Sequence, residues 1–257
     1  MKAVILAGGT GSRLSEETDT KPKPMVEVGG LPILLHIMNI YAYHGIHEFI
    51  IALGYKGDVI KNYFRNTSQT YNNMVVDFNH QRMQWRPQSK RIWTIHLVDT
   101  GSDAGTGGRL KKLSPLIGTE TFCMTYGDGV ANLPLPKILN FHKKQRKLAT
   151  VTAVRPPARF GGLEMKGHLV TKFVEKPQIG EGWINGGFFV LEPDVLGLIK
   201  NDFVMFEQYP LEKLAKDKEL SAYKHTGFWQ CVDTLRDLRL LNELWTNKQA
   251  PWKIWKD

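Results

Sequence analysis

Short apolar runs alternate with helix-like patterns along this 257-residue chain, and this alternation limits the folds that it can adopt. Short apolar runs bounded by polar or glycine residues are typical of buried strands, and apolar residues at helical spacing are typical of amphipathic helices. Their alternation predicts βα units and a mainly parallel sheet covered on both faces. The predicted strands are Ala3–Leu6, Phe49–Leu53, Ile95–Val98, Phe122–Tyr126 and Thr150–Val154. The predicted helices are Ile33–Tyr43, Leu133–Lys147 and Thr234–Asn247.

No repeat, low-complexity tract or Pro/Ser-rich linker divides the sequence, so we expect one α/β domain over residues 1–257. Cys123 and Cys231 are too few for a disulfide framework or a zinc site. No run approaches the roughly 18 apolar residues of a membrane span. Met1-Lys2 leads directly into the first strand without the pattern of a secretory signal. These features favour a cytoplasmic protein without a membrane partner.

The first predicted strand ends in a glycine-rich loop, Gly8-Gly-Thr-Gly-Ser-Arg-Leu14, and Lys21-Pro-Lys-Pro24 follows it closely. Glycines leave the backbone N–H groups open to the close approach of an anion. Arg13 adds a fork of donors for phosphate oxygens, and Lys23 adds a cation between two prolines that stiffen the backbone. The loop lacks the Lys-Ser/Thr of a P-loop, and Leu14 replaces the third glycine of a dinucleotide fingerprint. We therefore predict a polyphosphate site here in preference to a simple strand-to-helix turn.

These two elements resemble the first loop of the sugar-1-phosphate nucleotidyltransferases, which reads Gly-Gly-x-Gly-x-Arg-Leu and is followed by Pro-Lys-Pro. Further matches, in the family's order, extend the resemblance over nearly the whole chain. The resemblance implies a single three-layer domain with a mainly parallel mixed sheet, a Rossmann-like fold with a sugar-binding insertion. Residues from about 1 to 130 would bind the nucleotide, and those from about 150 to 230 the sugar phosphate. It also implies a homo-oligomer, for which the tail Trp245–Trp255 is a candidate contact.

The resemblance implies two metal ligands, Asp128 and Asp233, and Mg²⁺ as the cofactor. Asp128 lies in Tyr126-Gly-Asp-Gly129 at the end of a predicted strand, where open α/β sheets bind ligands. Asp233 lies in a segment that resembles the family's late Trp-x-Asp-Thr element. Mg²⁺ needs only one or two carboxylates besides phosphate oxygens and water. Alternatively, Asp128 forms an ordinary Asp-Gly turn and Asp233 caps the helix that begins near Thr234.

The resemblance also implies nucleotide-binding residues in the first half of the chain. Asp99 and Ala104 lie in a second glycine-rich loop, at positions where relatives that read uracil-type bases carry Gln and Gly. Cytosine presents an amino donor instead of a carbonyl at C4, so a carboxylate or backbone carbonyl in this loop would suit it. Arg109 is either on the ligand side of the next helix or a solvated basic residue. The complete implied set is Leu6, Ala7, Gly8, Gly9, Thr10, Gly11, Ser12, Arg13, Lys23, Asp99, Ala104 and Arg109.

Three later segments resemble those with which the family binds a hexose 1-phosphate: Arg159-Phe-Gly-Gly162, Val174-Glu-Lys-Pro177 and Trp183-Ile-Asn-Gly-Gly-Phe188. A carboxylate can accept hydrogen bonds from sugar hydroxyls, and an ammonium can pair with the phosphate. Each segment alone is weak support for a sugar-phosphate site, and their order along the chain strengthens the resemblance. The implied sugar-phosphate residues are Gly161, Glu175, Lys176 and Asn185.

The implied reaction is cytidylyl transfer from CTP to glucose 1-phosphate, giving CDP-glucose and pyrophosphate, with Arg13 and Lys23 as catalytic residues. A phosphomonoester is already anionic at neutral pH, so the attack needs no general base. The histidines are scattered, and we expect His36 to be a core or surface residue. Thymidylyl, uridylyl or guanylyl transfer on the same scaffold stays open, as does a non-catalytic nucleotide sensor.

The net charge of +9 suggests anionic ligands and raises the alternative of a nucleic-acid-binding protein. Much of the excess lies in residues 82–91 and 137–147. We interpret the segment 82–93 as a loop or hairpin and 137–147 as the outer face of an amphipathic helix. Neither carries a nucleic-acid-binding motif, so we expect no nucleic-acid partner.

Overall fold

The computed structural model describes residues 1–9, 18–70, 73–77, 82–86, 92–156, 162–166, 168–174 and 182–256. In these residues the strands are β1 (Ala3–Leu6), β2 (Glu27–Val28), β3 (Leu31–Pro32), β4 (Glu48–Leu53), β5 (Asn73–Asp77), β6 (Arg82–Arg86), β7 (Thr94–Asp99), β8 (Phe122–Tyr126), β9 (Gly129–Ala131), β10 (Ala149–Val154), β11 (Gly162–Lys166), β12 (Leu169–Val174), β13 (Ile184–Leu191), β14 (Leu220–His225) and β15 (Trp229–Cys231). The helices are α1 (Ile33–Tyr43), α2 (Gly57–Thr70), α3 (Thr106–Lys112), α4 (Ser114–Ile117), α5 (Leu135–Gln145), α6 (Tyr209–Lys216) and α7 (Leu235–Thr246), with short 3-10 helices at Lys23–Met25 and Pro193–Leu198.

A seven-stranded sheet forms the centre of the protein, in the order β14–β10–β13–β8–β1–β4–β7. Its pairs are parallel except where β13 runs antiparallel to β10 and β8, which confirms the predicted mainly parallel mixed sheet. In β1, Leu6 lies beside Ala52 of β4 and Tyr126 of β8. Because parallel strands end at the same edge, the loops that follow these three strands meet there.

Strand β1 is buried on both faces, which explains why it is apolar without alternation. Ala3 and Ile5 face a core built with α1 and the C-terminal segment, and Val4 and Leu6 face a second core that includes Leu110 of α3. These strand residues are all at most 7% exposed. The two cores, one on each side of the sheet, confirm the expected three-layer arrangement.

The predicted element boundaries agree closely with the structure where the apolar pattern is strong. Ala3–Leu6, Phe122–Tyr126 and Ile33–Tyr43 are reproduced without change. The other predicted strands and helices are found with their ends displaced by at most two residues. Sequence reasoning missed two strands of the central sheet, β13 and β14, and the helices α2, α4 and α6. The basic segment at 82–93 contributes β6, which pairs with β5 as a hairpin.

The basic run at 137–147 coincides with α5, as predicted. Ile138 of this helix is buried, whereas Lys143 and Lys144 are exposed. Its lysines therefore form a solvated helix face. Of the helices that the structure describes, none combines the length and the apolar character needed to cross a bilayer.

The tryptophan-bearing C-terminal segment packs on its own chain. Trp252 is fully buried and stacks against Phe228 and Trp245. Its indole N–H donates to Nδ1 of His36 at 3.2 Å. The expectation that the tail contacts a neighbouring copy is therefore corrected for Trp252, because its ring already belongs to the core of its own chain.

His36 is a fully buried core residue whose environment fixes it in the neutral form. An indole can only donate, so Nδ1 must accept from Trp252 and Nε2 donates to Val28 O at 2.9 Å. Burial lowers the pKa of His36, and burial also lowers the pKa values of His44 and His225. Below about pH 6.5 the unfolded chain therefore binds protons that the folded protein does not bind.

We expect stability to be highest above about pH 6.5 and to decrease as the pH falls, with His36 contributing up to about 1.4 kcal/mol per pH unit. The midpoint temperature of unfolding, measured from about pH 7.5 to about pH 5.5, tests this. His36→Asn should depend less on pH than the wild type, and the control His168→Asn, at an exposed turn residue, should keep the wild-type slope. An unchanged slope for His36→Asn would contradict the assignment.

Candidate active site

Lys23 begins a rigid 3-10 turn that the two flanking prolines shape. Pro22 precedes it in an extended conformation, with φ −70° and ψ 152°, and Pro22 O accepts from the Met25 N–H at 2.8 Å. Pro24 occupies the next position of the turn and is buried. Since a proline ring fixes φ, the backbone of Lys23 is held in place as the sequence predicted. The position of the Lys23 ammonium therefore depends on the side-chain torsions alone.

A short antiparallel ribbon, β9 paired with β15, brings Asp128 and Asp233 together. The Val232 N–H donates to Asp128 O at 2.9 Å, which aligns the two turns. Gly127 allows the Asp128 turn to pack on Pro24, because a Cβ at this glycine would lie 2.8 Å from Pro24 Cγ. Backbone pairing and a glycine contact thus place two carboxylates beside the Lys23 turn.

The ammonium of Lys23 lies between these carboxylates. Its Nζ is 2.7 Å from Asp128 Oδ2 and 2.6 Å from Asp233 Oδ1. The Lys23 side chain is 12% exposed, so the ion pairs are largely shielded from water. Burial by itself would lower the pKa of Lys23, but Asp128 and Asp233 outweigh it and the net shift is upward. Lys23 is therefore charged at neutral pH and held within the cluster.

The helix-capping alternative for Asp233 is wrong. Thr234 is the N-cap of α7, and it forms a capping box with Asp237. The Asp237 N–H donates to Thr234 Oγ1 at 3.2 Å, and Asp237 Oδ2 accepts from the Thr234 N–H at 2.9 Å. Because a neighbouring pair satisfies the first turn of the helix, the Asp233 carboxylate is available to the Lys23 cluster.

A cavity of about 320 Å³ opens beside this cluster. A more open groove along α7 contains none of the predicted site residues, so we regard the cavity as the candidate ligand site. The predicted residues in the cavity wall are Leu6, Ala7, Gly8, Gly9, Lys23, Ala104, Arg109 and Asp128. Outside the described residues lie Thr10, Gly11, Ser12, Arg13, Gly161, Glu175 and Lys176.

Arg109 lies in the cavity wall, but its guanidinium donates hydrogen bonds to other groups of the protein. The residue is 4% exposed, so the solvated alternative is wrong. Glycines at positions 8 and 54 make room for it, because a Cβ on either would lie 2.3 Å from Nη1. The hydrogen bonds run from Nη1 to Leu53 O (3.1 Å), Thr100 Oγ1 (2.8 Å) and Gly101 O (2.6 Å), and from Nη2 to Gly8 O (3.0 Å) and Ser102 O (2.9 Å).

Arg109 therefore connects the end of β4 with the loops after β1 and β7 through backbone carbonyl groups. Burial lowers the pKa of its guanidinium, while Asp99 and Asp103 favour the charged form. An arginine keeps its charge under such conditions. The structure thus gives Arg109 a role in shaping the cavity wall, and its contact with a nucleotide stays a prediction.

We expect Arg109→Met to lower the free energy of unfolding by about 3 kcal/mol or more, because several buried carbonyls lose a charged donor. Urea denaturation monitored by tryptophan fluorescence measures this loss. Arg239→Met, at an exposed residue of α7, is the matched control and should change stability by about 0.5 kcal/mol at most. A similarly small loss for Arg109→Met would show that these bonds do not hold the loops together.

Asp99, the carboxylate predicted to read the base, is the last residue of β7. Its side chain is exposed, and its Oδ1 accepts from the Gly101 N–H at 2.9 Å. The carboxylate thus closes its own turn and is not in the cavity wall. Ala104, which follows in the same loop, does line the cavity. The structure therefore favours the later part of this loop as the part that faces a ligand.

Sequence reasoning missed Glu207, whose carboxylate accepts hydrogen bonds from two residues of the cavity wall, Tyr126 and Thr106. Its Oε1 accepts from Tyr126 OH and its Oε2 from Thr106 Oγ1, each at 2.5 Å. Burial and the neighbouring Glu207 raise the pKa of Tyr126, against the effect of a hydrogen bond from Asn185. Asn185, at the exposed start of β13, therefore lies beside a cavity residue. Glu207 belongs to no periodic pattern, so no sequence signal pointed to it.

Asp128 and Asp233 are a chemically suitable pair for a divalent cation. The Lys23 ammonium between them shows that a positive charge is accommodated there. In the part of the chain that the structure describes, no cluster of three or more His, Cys, Asp or Glu side chains has metal-binding geometry. Mg²⁺ needs only one or two carboxylates when phosphate oxygens and water complete its shell. The pair therefore fits Mg²⁺ bound together with a phosphate ligand.

Comparison with known proteins gives three similarities. Residues 2–247 match the family described as Nucleotidyl transferase. The sequence is 51% identical to the glucose-1-phosphate cytidylyltransferases of Salmonella typhimurium and Salmonella typhi, over 257 residues and 100% of each chain. The solved structure of HddC from Yersinia pseudotuberculosis has a TM-score of 0.70 at 24% identity, over 95% of this chain and 99% of that one. At this identity the structural likeness concerns the fold alone.

Proposed function

Because this chain belongs to the nucleotidyl transferase family, we propose that it transfers the cytidylyl group of CTP to α-D-glucose 1-phosphate, giving CDP-glucose and pyrophosphate. The full-length relatives at 51% identity support CTP and glucose as the substrates. The observation that carries the proposal is the cluster of Lys23, Asp128 and Asp233 beside a cavity bounded by the Gly8-Gly9 loop.

For this reaction the protein must mainly hold two anions, CTP and the sugar phosphate, close together. The sugar phosphate attacks the α-phosphorus of CTP, and pyrophosphate leaves in line. The nucleophile is already ionised, so no general base is required. Histidine pairs with a carboxylate at His142–Glu192 and at His96–Glu48 in the described residues. Neither pair is in the cavity wall, which is consistent with this. Positioning and charge neutralisation then account for the rate.

We assign Lys23 to the α-phosphate, where its ammonium would neutralise developing charge. Asp128 and Asp233 would hold Mg²⁺, which when bound supplies charge neutralisation and a template for phosphate oxygens. The backbone of Gly8 and Gly9 would lie along the triphosphate. These assignments rest on the geometry of the Lys23–Asp128–Asp233 cluster and on the position of the glycine loop.

The remaining assignments come from the family resemblance. Arg13 would bind the leaving pyrophosphate, and Glu175 and Lys176 would bind the sugar and its phosphate, with Gly161 nearby. Asn185 would donate to a sugar hydroxyl, which its place beside Tyr126 supports. We further propose Mg²⁺ as the physiological cation, a homo-oligomeric state, a cytoplasmic location, and a nucleotide-binding part (about 1–130) distinct from a sugar-binding part (about 150–230).

A substrate panel tests the proposal directly. CTP, UTP, dTTP and GTP are each combined with glucose 1-phosphate, mannose 1-phosphate and galactose 1-phosphate, with Mg²⁺ and after chelation, and pyrophosphate release is measured. We expect the highest kcat/KM for CTP with glucose 1-phosphate, and loss of the reaction on chelation. Preference for another triphosphate would reassign the base. Binding of CTP without turnover would identify a nucleotide sensor.

A further inference from the structure

The positions of Lys23, Asp128 and Asp233 create a conflict with metal binding. Lys23 Nζ lies 2.7 Å and 2.6 Å from one oxygen of each carboxylate and so fills the space between them. Mg²⁺ would need the same oxygens at about 2.1 Å. Two positive charges in this gap would also repel each other strongly, because the lysine side chain is only 12% exposed. The ammonium in its present place and a divalent cation therefore exclude one another.

Lys23 can leave this place without disturbing the fold. The proline-bounded turn fixes its backbone, and four rotatable bonds carry the ammonium. Lys23 and Asp128 both lie in the cavity wall together with Gly8. A triphosphate bound there would offer anionic oxygens to the ammonium in exchange for the two carboxylates. The charge lost by the carboxylates would then be restored by the metal ion.

We propose that Lys23 acts as an internal counter-ion that occupies the divalent-cation site until a nucleoside triphosphate draws it to the α-phosphate. This inference rests on the proposed function. It makes Lys23 a coupling element: nucleotide binding vacates the metal site, and by thermodynamic linkage metal binding strengthens nucleotide binding by the same factor. The free protein consequently binds divalent cations weakly and keeps Asp128 and Asp233 together without one.

The coupling also explains why a lysine is placed between two acidic residues that need a metal. Without a cation, the carboxylates would repel each other and the turns that carry them would be pushed apart. The ammonium keeps them at a separation close to that required by the metal, since N–O and Mg–O distances differ by only about half an ångström. Lys23 thereby preserves the metal site in the absence of the metal.

Binding of Mn²⁺ alone, followed by electron paramagnetic resonance in the absence of nucleotide, tests the proposal. We expect Lys23→Met to bind one Mn²⁺ at least ten-fold more tightly than the wild type. Lys23→Arg, which keeps the charge, should bind as weakly as the wild type. The double variant Lys23→Met/Asp128→Asn should lose the tight site, which would assign it to the Asp128–Asp233 pair.

Equal or weaker binding of Mn²⁺ by Lys23→Met would overturn the inference, as would a tight site that survives in the double variant. If Lys23→Met does not fold, wild-type crystals soaked in Mn²⁺ decide: the ion found between the two carboxylates with Nζ still within about 3 Å of both would overturn it. Lys23 still bridging and no ion between the carboxylates would support it. If the protein makes CDP-glucose but Lys23 and Mn²⁺ do not compete for the two carboxylates, the inference alone is refuted. A chain that shows the competition but no turnover refutes only the proposed function.

Discussion

Turnover of the Lys23→Ala variant is expected to fall by about 10²–10³-fold, while the protein stays folded. Lys23 is the one cation of the described cavity wall whose charged group contacts both candidate metal ligands. Without its ammonium, the negative charge that develops on the α-phosphate loses a fixed partner in a site partly shielded from water. The loss should appear in kcat, because the interaction strengthens as charge develops.

Steady-state pyrophosphate release measures this effect, with thermal unfolding as the check on folding. Lys137→Ala, at an exposed lysine of α5, is the control for loss of one positive charge and should retain wild-type kinetics. An increase in KM with unchanged kcat would mean that Lys23 only binds the ground state. Wild-type kinetics in Lys23→Ala would remove it from the mechanism.

The Asp128→Ala variant is expected to lose activity by at least about 10³-fold and to lose its response to added Mg²⁺. Asp128 supplies one of only two carboxylates in the cluster, and Mg²⁺ bound to a single carboxylate would no longer be aligned between protein and phosphates. Folding should survive, because Lys23 keeps its ion pair with Asp233.

The dependence of rate on Mg²⁺ concentration, together with Mn²⁺ binding in the presence of CTP, distinguishes a lost metal site from a damaged fold. Asp194→Ala removes an exposed acidic residue from the 3-10 helix Pro193–Leu198 and serves as the matched control. A normal Mg²⁺ dependence in Asp128→Ala would show that the cation binds elsewhere.

Local pattern was enough to predict much of the architecture. Strand β1 and helix α1 are apolar over their whole length, so their boundaries could be read from composition and spacing. The proline pair around Lys23 fixes its turn through local covalent geometry, which makes that prediction independent of the rest of the fold. Strand β13 ends in a buried apolar run, but it begins with two exposed residues and two glycines, which are typical of a loop and concealed it.

The two cysteines show that residue type and neighbouring residues do not determine where a side chain lies in the fold. Cys123 lies in an apolar run and is fully buried in the core, where burial raises its pKa to about 12. Cys231 also follows an apolar pattern, yet its Sγ lies 3.4 Å from Asp233 Oδ2 at the edge of the candidate site. The difference arises from the β9–β15 pairing, which places one short strand beside Asp128 and Asp233. Nothing in the flanking residues encodes that pairing.

The sequence by itself determined the α/β class, the glycines that follow β1 and the rigid backbone of Lys23, because each depends on interactions between neighbouring residues. Only the tertiary structure decided that Asp233 pairs with Lys23, that Arg109 binds backbone carbonyls, and that Trp252 is a core residue. Each of these depends on partners far away in the chain. Such contacts exist only after the sheet has brought separate strand ends to one edge, and no local periodicity records them.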